Sequence, residues 1–93
     1  MNIEWTPVAR RDRRGQLDYM KHLNPAVAID MADGIETAVT YIAAQPTMGR
    51  PGRKRGTREW RVSGTPYLLI YRLDEHSLVI LRLLHGAQDW PAR

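Results

Sequence analysis

The stretch YLLIYRLDEHSLVILRLLH, residues 67–85, decides how the rest of the chain is read. Leu68, Leu69, Ile70 and Tyr71, and then Leu78 through Leu84, form nearly continuous apolar runs broken by Asp74-Glu75-His76. Two runs of that length around a polar turn predict paired strands at Tyr67 to Leu73 and Ser77 to His85. A strand with one wet face alternates polar and apolar residues. These do not, so they are read as central strands covered on both faces, or on one face plus a partner. Upstream, Ser63-Gly64-Thr65-Pro66 separates a third strand, Arg58 to Val62, and the three make a meander.

Working back toward the N-terminus, Ala28, Met31, Ala32, Ile35, Val39 and Ile42 recur at three- and four-residue steps, which places them on one helical face. Asn24-Pro25 supplies a cap followed by a first-turn proline, and Gln45-Pro46 ends the helix. Its acids Asp30, Asp33 and Glu36 sit in the N-terminal half, where the backbone dipole favours them, and read as solvated surface. Thr6-Pro7 repeats the cap signal for a helix running to Leu23. The apolar stripe from Val8 to Leu23 is poor, and Gly15 weakens it. Asn2 to Trp5 reads as a short strand. The predicted order is therefore β-α-α-β-β-β, an α+β fold with two N-terminal helices packed on a mainly antiparallel sheet.

Ninety-three residues are expected to build one domain spanning 1–93. Fourteen Lys plus Arg against ten Asp plus Glu give a formal charge of +4, which favours an anionic partner: nucleic acid, an acidic protein or an anionic membrane face. With no cysteine, disulfides, thiol catalysis and thiolate metal sites are excluded, and a reducing cytoplasm is the expected location. No run approaches the roughly eighteen apolar residues that span a bilayer, so no membrane partner is expected. Phosphate-cradling glycine signatures, nucleophile elbows and dinucleotide fingerprints are missing, which points to no cofactor.

The densest charge feature is the loop and strand start carrying Arg50, Arg53, Lys54, Arg55, Arg58 and Arg61, interrupted by Glu59. Six cations in twelve positions create a field that phosphates or carboxylates would feel, so Arg50, Arg53, Lys54, Arg55 and Arg58 are the candidate binding residues. A second group, Arg10, Arg11, Arg13 and Arg14, covers at least two sides of the first helix, so all four cannot meet one ligand. The alternative is that some of them join the loop in one extended basic face. His22, His76 and His85 lack ligand spacing, so no metal site is expected. His85 closes an apolar strand just before Gly86, and an imidazole titrates near neutrality and so suits proton transfer. Tyr67 and Tyr71 share a strand face, while Trp5, Trp60 and Trp90 read mainly as packing residues.

Three phrases, Pro46-Thr47-Met48-Gly49-Arg50-Pro51, then Gly64 through Arg72, then Ile80 through Gly86, resemble the RelE/ParE superfamily of toxins in order and spacing over essentially the whole chain. The resemblance implies the same β-α-α-β-β-β fold, a type II toxin–antitoxin module, and a cognate antitoxin that wraps and neutralises the protein. That antitoxin would be acidic and partly disordered, folding as it binds. Relatives of the RelE kind cut mRNA in the ribosome; those of the ParE kind poison DNA gyrase. RelE-like nucleases typically carry an arginine just ahead of a Leu-Val-Tyr triplet, whereas here Leu68 precedes Leu69-Ile70-Tyr71. The C-terminal Gln88-Asp89-Trp90-Pro91 also lacks the tyrosine or second basic residue of several such nucleases. Met48-Gly49-Arg50 and Arg82-Leu83-Leu84-His85 look closer to ParE, so a gyrase-directed growth inhibitor that stabilises plasmids is the expectation. Under the ribonuclease alternative, Arg61, Arg72 and Arg82 would screen phosphate and His85 would shuttle a proton.

Overall fold

A computed structural model describes residues 1–86, 88, 90 and 91. Of the C-terminal segment read above, Asp89 lies outside the described residues. The element order is β1 (Asn2–Trp5), α1 (Pro7–Leu23), α2 (Pro25–Ala44), a 3-10 turn (Pro46–Met48), β2 (Arg50–Pro51), β3 (Arg58–Arg61), β4 (Tyr67–Leu73) and β5 (Ser77–His85). Five strands form one sheet in the order β1-β5-β4-β3-β2. β1 runs parallel to β5 and the remaining pairs are antiparallel. The expected fold is therefore present. Strand β2 was not foreseen: it lies inside the basic loop, too short to show a period, and exists because Arg50 and Pro51 pair with Glu59 and Arg58.

Both helices start where their caps demand. Thr6 Oγ1 accepts the Ala9 amide at 3.1 Å, and Asn24 Oδ1 accepts the Val27 amide at 3.3 Å, each followed by a first-turn proline. Helix α2 buries Ala28, Met31, Ile35, Ala38, Val39 and Ile42 against the sheet, as its periodicity requires, while Ala32 is only half-buried. Helix α1 fully buries Ala9 alone, consistent with its poor stripe. Leu17 and Met20 add partly buried contact with the core, and something besides this apolar contact holds the helix to the sheet.

That something is the open edge of β5. Strand β1 pairs with β5 only from Ser77 to Ile80, which leaves the rest of the edge without a backbone partner. Side chains of Thr6 and of α1 fill the gap. Thr6 Oγ1 donates to the Leu81 carbonyl at 3.0 Å, and Gln16 Nε2 donates to the Leu83 carbonyl at 2.6 Å. Asp12 Oδ2 accepts the Leu83 amide at 3.1 Å while the same carboxylate takes two hydrogen bonds from Arg82, at 2.7 and 3.0 Å.

A β-bulge explains why the apolar run in β5 is continuous. Ile70 faces Arg82 and Tyr71 faces Ile80, so Leu81 is the extra residue. Leu78, Ile80 and Leu83 then join Leu69, Tyr71 and α2 in the main core. Leu84, with Leu81 beside it, packs with Leu68 and Ile70 in a second cluster against Trp90. The two runs are thus covered on both faces, by the helices on one and by Trp90 of the C-terminal segment on the other.

Asp12→Ala removes an acceptor from both the Leu83 amide and the Arg82 guanidinium. A loss of about 2–3 kcal/mol is expected from the scale of hydrogen bonds to charged groups. Urea unfolding measures it; a change under about 0.5 kcal/mol would show that the edge is held by other means.

Candidate functional site

The basic loop is organised around one buried acid. Glu59 sits in β3 opposite Ile70, on the sheet face away from the helices, and is only 2% exposed. Its carboxylate accepts the Arg53 backbone amide at 3.0 Å, Arg53 Nε at 3.3 Å and Arg50 Nη2 at 3.1 Å. Burial alone would raise the carboxyl pKa. The Arg53 amide and the Arg50 and Arg53 guanidinium groups outweigh that and hold it below the usual glutamate value. The side chain is a carboxylate at neutral pH, and it bends the chain of residues 50–58 back onto the sheet.

The loop's opposite side is tied from within the core. Tyr71 donates its hydroxyl to the Pro46 carbonyl at 2.7 Å and accepts the Gly49 amide at 3.0 Å. Burial lifts the phenol above its usual range, with the Gly49 amide and the Arg58 charge offsetting part of the shift, so the hydroxyl keeps the proton it donates. Gly49 is required here because a Cβ would overlap the Tyr71 ring, with carbons 2.8 Å away. Arg58 spends a guanidinium nitrogen on the Thr47 and Gly49 carbonyls, at 3.1 and 2.8 Å.

The five predicted binding residues therefore differ in what they have left to offer. Arg58 is largely a structural clamp. Arg50 and Arg53 are pinned through Glu59, yet their side chains remain 68% and 42% exposed, and Lys54 and Arg55 are exposed with no ion pair among the described residues. A turn at Gly56, with φ of +83°, closes the loop. The result is a fixed cationic rim around a buried negative charge, suited to binding anions.

The four residues considered for phosphate chemistry are dispersed. Along β4, His85 lies opposite Tyr67, Arg61 opposite Leu68, Arg82 opposite Ile70 and Arg72 opposite Val79. Five residue steps of strand cover about 17 Å. His85 stands edge-on to Tyr67, with ring centroids 5.8 Å apart, on the helix side of the sheet; Arg61 shares the other face with Leu68. The guanidinium of Arg82 is held by Asp12, and that bond raises its pKa further, so it is no proton donor. Arg72 pairs with Asp74 at 3.2 Å, and Arg61 reaches the Thr65 carbonyl at 3.5 Å. Leu68, at the position where nucleases of the superfamily carry an arginine, is 4% exposed within the second apolar cluster. No group of acids and histidines that could hold a metal occurs among the described residues, and no helix among them is long and apolar enough to cross a membrane.

Sequence reasoning missed Glu59 as the hub. A lone acid inside a run of six cations was the available signal, and its placement on a strand next to apolar β4 could have marked it as buried.

Two helices laid across this five-stranded sheet, with a cationic loop at its β2 edge, match the fold of small toxins from type II toxin–antitoxin systems. The family model described as ParE toxin of type II toxin-antitoxin system, parDE, matches residues 3–90, and the chain belongs to that family, within the RelE/ParE superfamily. The Sinorhizobium fredii protein Y4kP, a toxin by name, is 36% identical over 91 residues, covering 96% of this chain and 92% of that protein. Among solved structures, a chain of the chromosomal ParDE toxin–antitoxin system from P. aeruginosa superposes with a TM-score of 0.81 at 25% identity, covering 91% of this chain and 95% of that one. A chain of the RelBE2 toxin–antitoxin complex from Mycobacterium tuberculosis gives 0.63 at 32% identity, covering 90% and 95%.

Because the folded Glu59 pKa is lowered, its stabilising contribution is complete above the ordinary value near 4.5 and is lost as pH falls through the folded value. Glu59→Gln should lower the urea midpoint at pH 7 and narrow its gap from the parent at pH 3.5. A gap that is equal at both pH values would contradict the assignment.

Proposed function

We propose that the chain is a cytoplasmic growth inhibitor that acts on DNA gyrase and is neutralised by a cognate antitoxin. The observation that carries the reading is the absence of a gathered nuclease constellation among the described residues. Leu68 fills the expected arginine position inside an apolar cluster, Arg82 is committed to Asp12, and His85 and Arg61 lie on opposite faces of the sheet. An aliphatic side chain supplies neither a proton nor positive charge to a phosphorane-like transition state. The match to the ParE family and the higher structural similarity to the ParDE chain support the same side. A protein that inhibits by binding needs a shaped, charged surface, and the rim of Arg50, Arg53, Lys54 and Arg55 supplies one.

The antitoxin reading draws on two further observations. The two solved structures described above come from toxin–antitoxin systems. The helical layer also leaves Tyr19, Leu23 and Ile29 each more than 60% exposed, apolar surface of the kind that a folding partner segment covers. An acidic segment would add charge complementarity with the loop, and raising salt would then slow association more than it speeds dissociation.

A second reading, a ribosome-dependent endoribonuclease, keeps support from the 32% identity to the RelBE2 chain. His85 would be its proton shuttle, since it lines a cleft with Tyr19, Asp30 and Tyr67 at the end of β5. Induced expression in a sensitive host separates the two. The gyrase reading expects the DNA-damage response and trapped gyrase cleavage complexes, with translation continuing at early times. Intact chromosomes with mRNA cut in the ribosomal decoding site, and toxicity lost in His85→Ala, would establish the nuclease instead.

A further inference from the structure

The arginines of α1 are not used by any of the interactions assigned above, and the structure sorts them. Arg10, Arg13, Arg14 and Leu17 follow the i, i+3, i+4, i+7 spacing of one helix face, and with Trp5 they line a cleft of about 450 Å³. Arg11 does not line it. Trp5 ends β1, which forms one edge of the sheet, whereas the cationic loop lies at the β2 edge, four strands away. At about 4.8 Å per strand that separation is roughly 19 Å, so these arginines do not extend the loop's surface and form a second basic site.

The cleft combines three features that act on one kind of ligand. The Arg13 guanidinium lies over the Trp5 ring, 5.0 Å from its centroid, and the half-buried indole packs against the main core behind it. Arg13 also pairs with Glu36 at 2.8 Å, but Glu36 is 65% exposed, so solvent screens that pair. Arg10 and Arg14 are exposed and make no ion pair among the described residues. The nearby acids do not cancel them: Asp12 is taken by Arg82, and Asp18, four residues past Arg14, makes no ion pair with it.

We infer that this cleft binds a single-stranded nucleic acid, with phosphates held by Arg10 and Arg14 and a base stacked on the Arg13 guanidinium that lies over Trp5. Guanidinium groups match phosphate oxygens bidentately. Cβ atoms four residues apart on a helix are about 5–6 Å from each other, so both arginines can serve neighbouring backbone positions. An acidic peptide would use the cations alone. The flat guanidinium held on the indole supplies a stacking surface that a base needs and a carboxylate does not, and only an unpaired strand offers free base faces. The inference stands whether or not gyrase is the target.

Fluorescence anisotropy with labelled 12-mers of oligothymidine and oligouridine tests it, run side by side at 50 and 200 mM NaCl. Arg10→Gln/Arg14→Gln should bind at least tenfold more weakly than the parent, and its log–log salt slope should be shallower by about 1.4, the release expected from two single-strand phosphate contacts. Both side chains are exposed and make no side-chain hydrogen bond or ion pair among the described residues, so the variant's thermal melt should match the parent's. Lys54→Gln/Arg55→Gln should stay within threefold of the parent. In protein labelled with 5-fluorotryptophan, the Trp5 signal should shift on oligonucleotide addition while that of Trp60 does not. Binding of either oligomer in this pattern supports the cleft, and the tighter one names the nucleic acid. Three results would each overturn it: undiminished binding by the helix variant, loss confined to the loop variant, or polyglutamate competing as strongly as the oligomer at equal charge.

Discussion

A single carboxylate with almost no access to water fixes the most charged part of this molecule. Glu59 gathers two guanidinium groups and one backbone amide, and the loop that carries them would otherwise consist of mutually repelling cations joined by glycines. A buried carboxylate left unpaired is costly, so the geometry that satisfies Glu59 is also the one that fixes the loop. Tyr71 does the same from the core side, through Pro46 and Gly49. The toxin therefore presents its cations in a fixed arrangement instead of a mobile cloud, which lowers the ordering cost that a partner must meet on binding.

At the opposite edge a different economy operates. Strand β1 is too short to cover β5, and α1 completes the edge with Thr6, Asp12 and Gln16 in place of backbone. A helix held by polar side chains to a strand edge needs little apolar surface of its own, which leaves its remaining faces available to arginine. The small apolar share of α1 and its charge density thus have one cause. Because the two basic regions lie at opposite edges of the sheet, they can engage different ligands.

Much of the fold was legible because the signals were local. Asn24-Pro25, Gln45-Pro46 and the period of α2 depend on neighbours in sequence, and the apolar runs of residues 67–85 marked central strands before any pairing was known. What stayed hidden depends on partners distant in sequence. The bulge at Leu81, the use of Arg82 by Asp12 seventy residues away, and the parallel placement of β1 beside β5 leave no periodic trace. The same holds for function. The cations of the loop were visible as a cluster, but composition could not tell Arg58, spent on carbonyls, from Lys54 and Arg55, which face solvent. Arg61, Arg72, Arg82 and His85 looked able to converge only until the register spread them along β4. Conversely, α1's arginines looked scattered, and the placement of Trp5 next to three of them shows the cleft that they share.

Membership in the ParE toxin family fits this arrangement of a packed sheet that gives rigidity and charged edges that can meet a partner. The claim on which this rests is that the cationic loop is rigid because Glu59 anchors it. Backbone ¹⁵N relaxation of residues 50–58 measures that directly. Order parameters near the rigid value of about 0.85 in the parent, falling toward 0.6 or below in Glu59→Ala while β4 is unchanged, are the predicted result. A loop already flexible in the parent, or one equally ordered without the carboxylate, would contradict it.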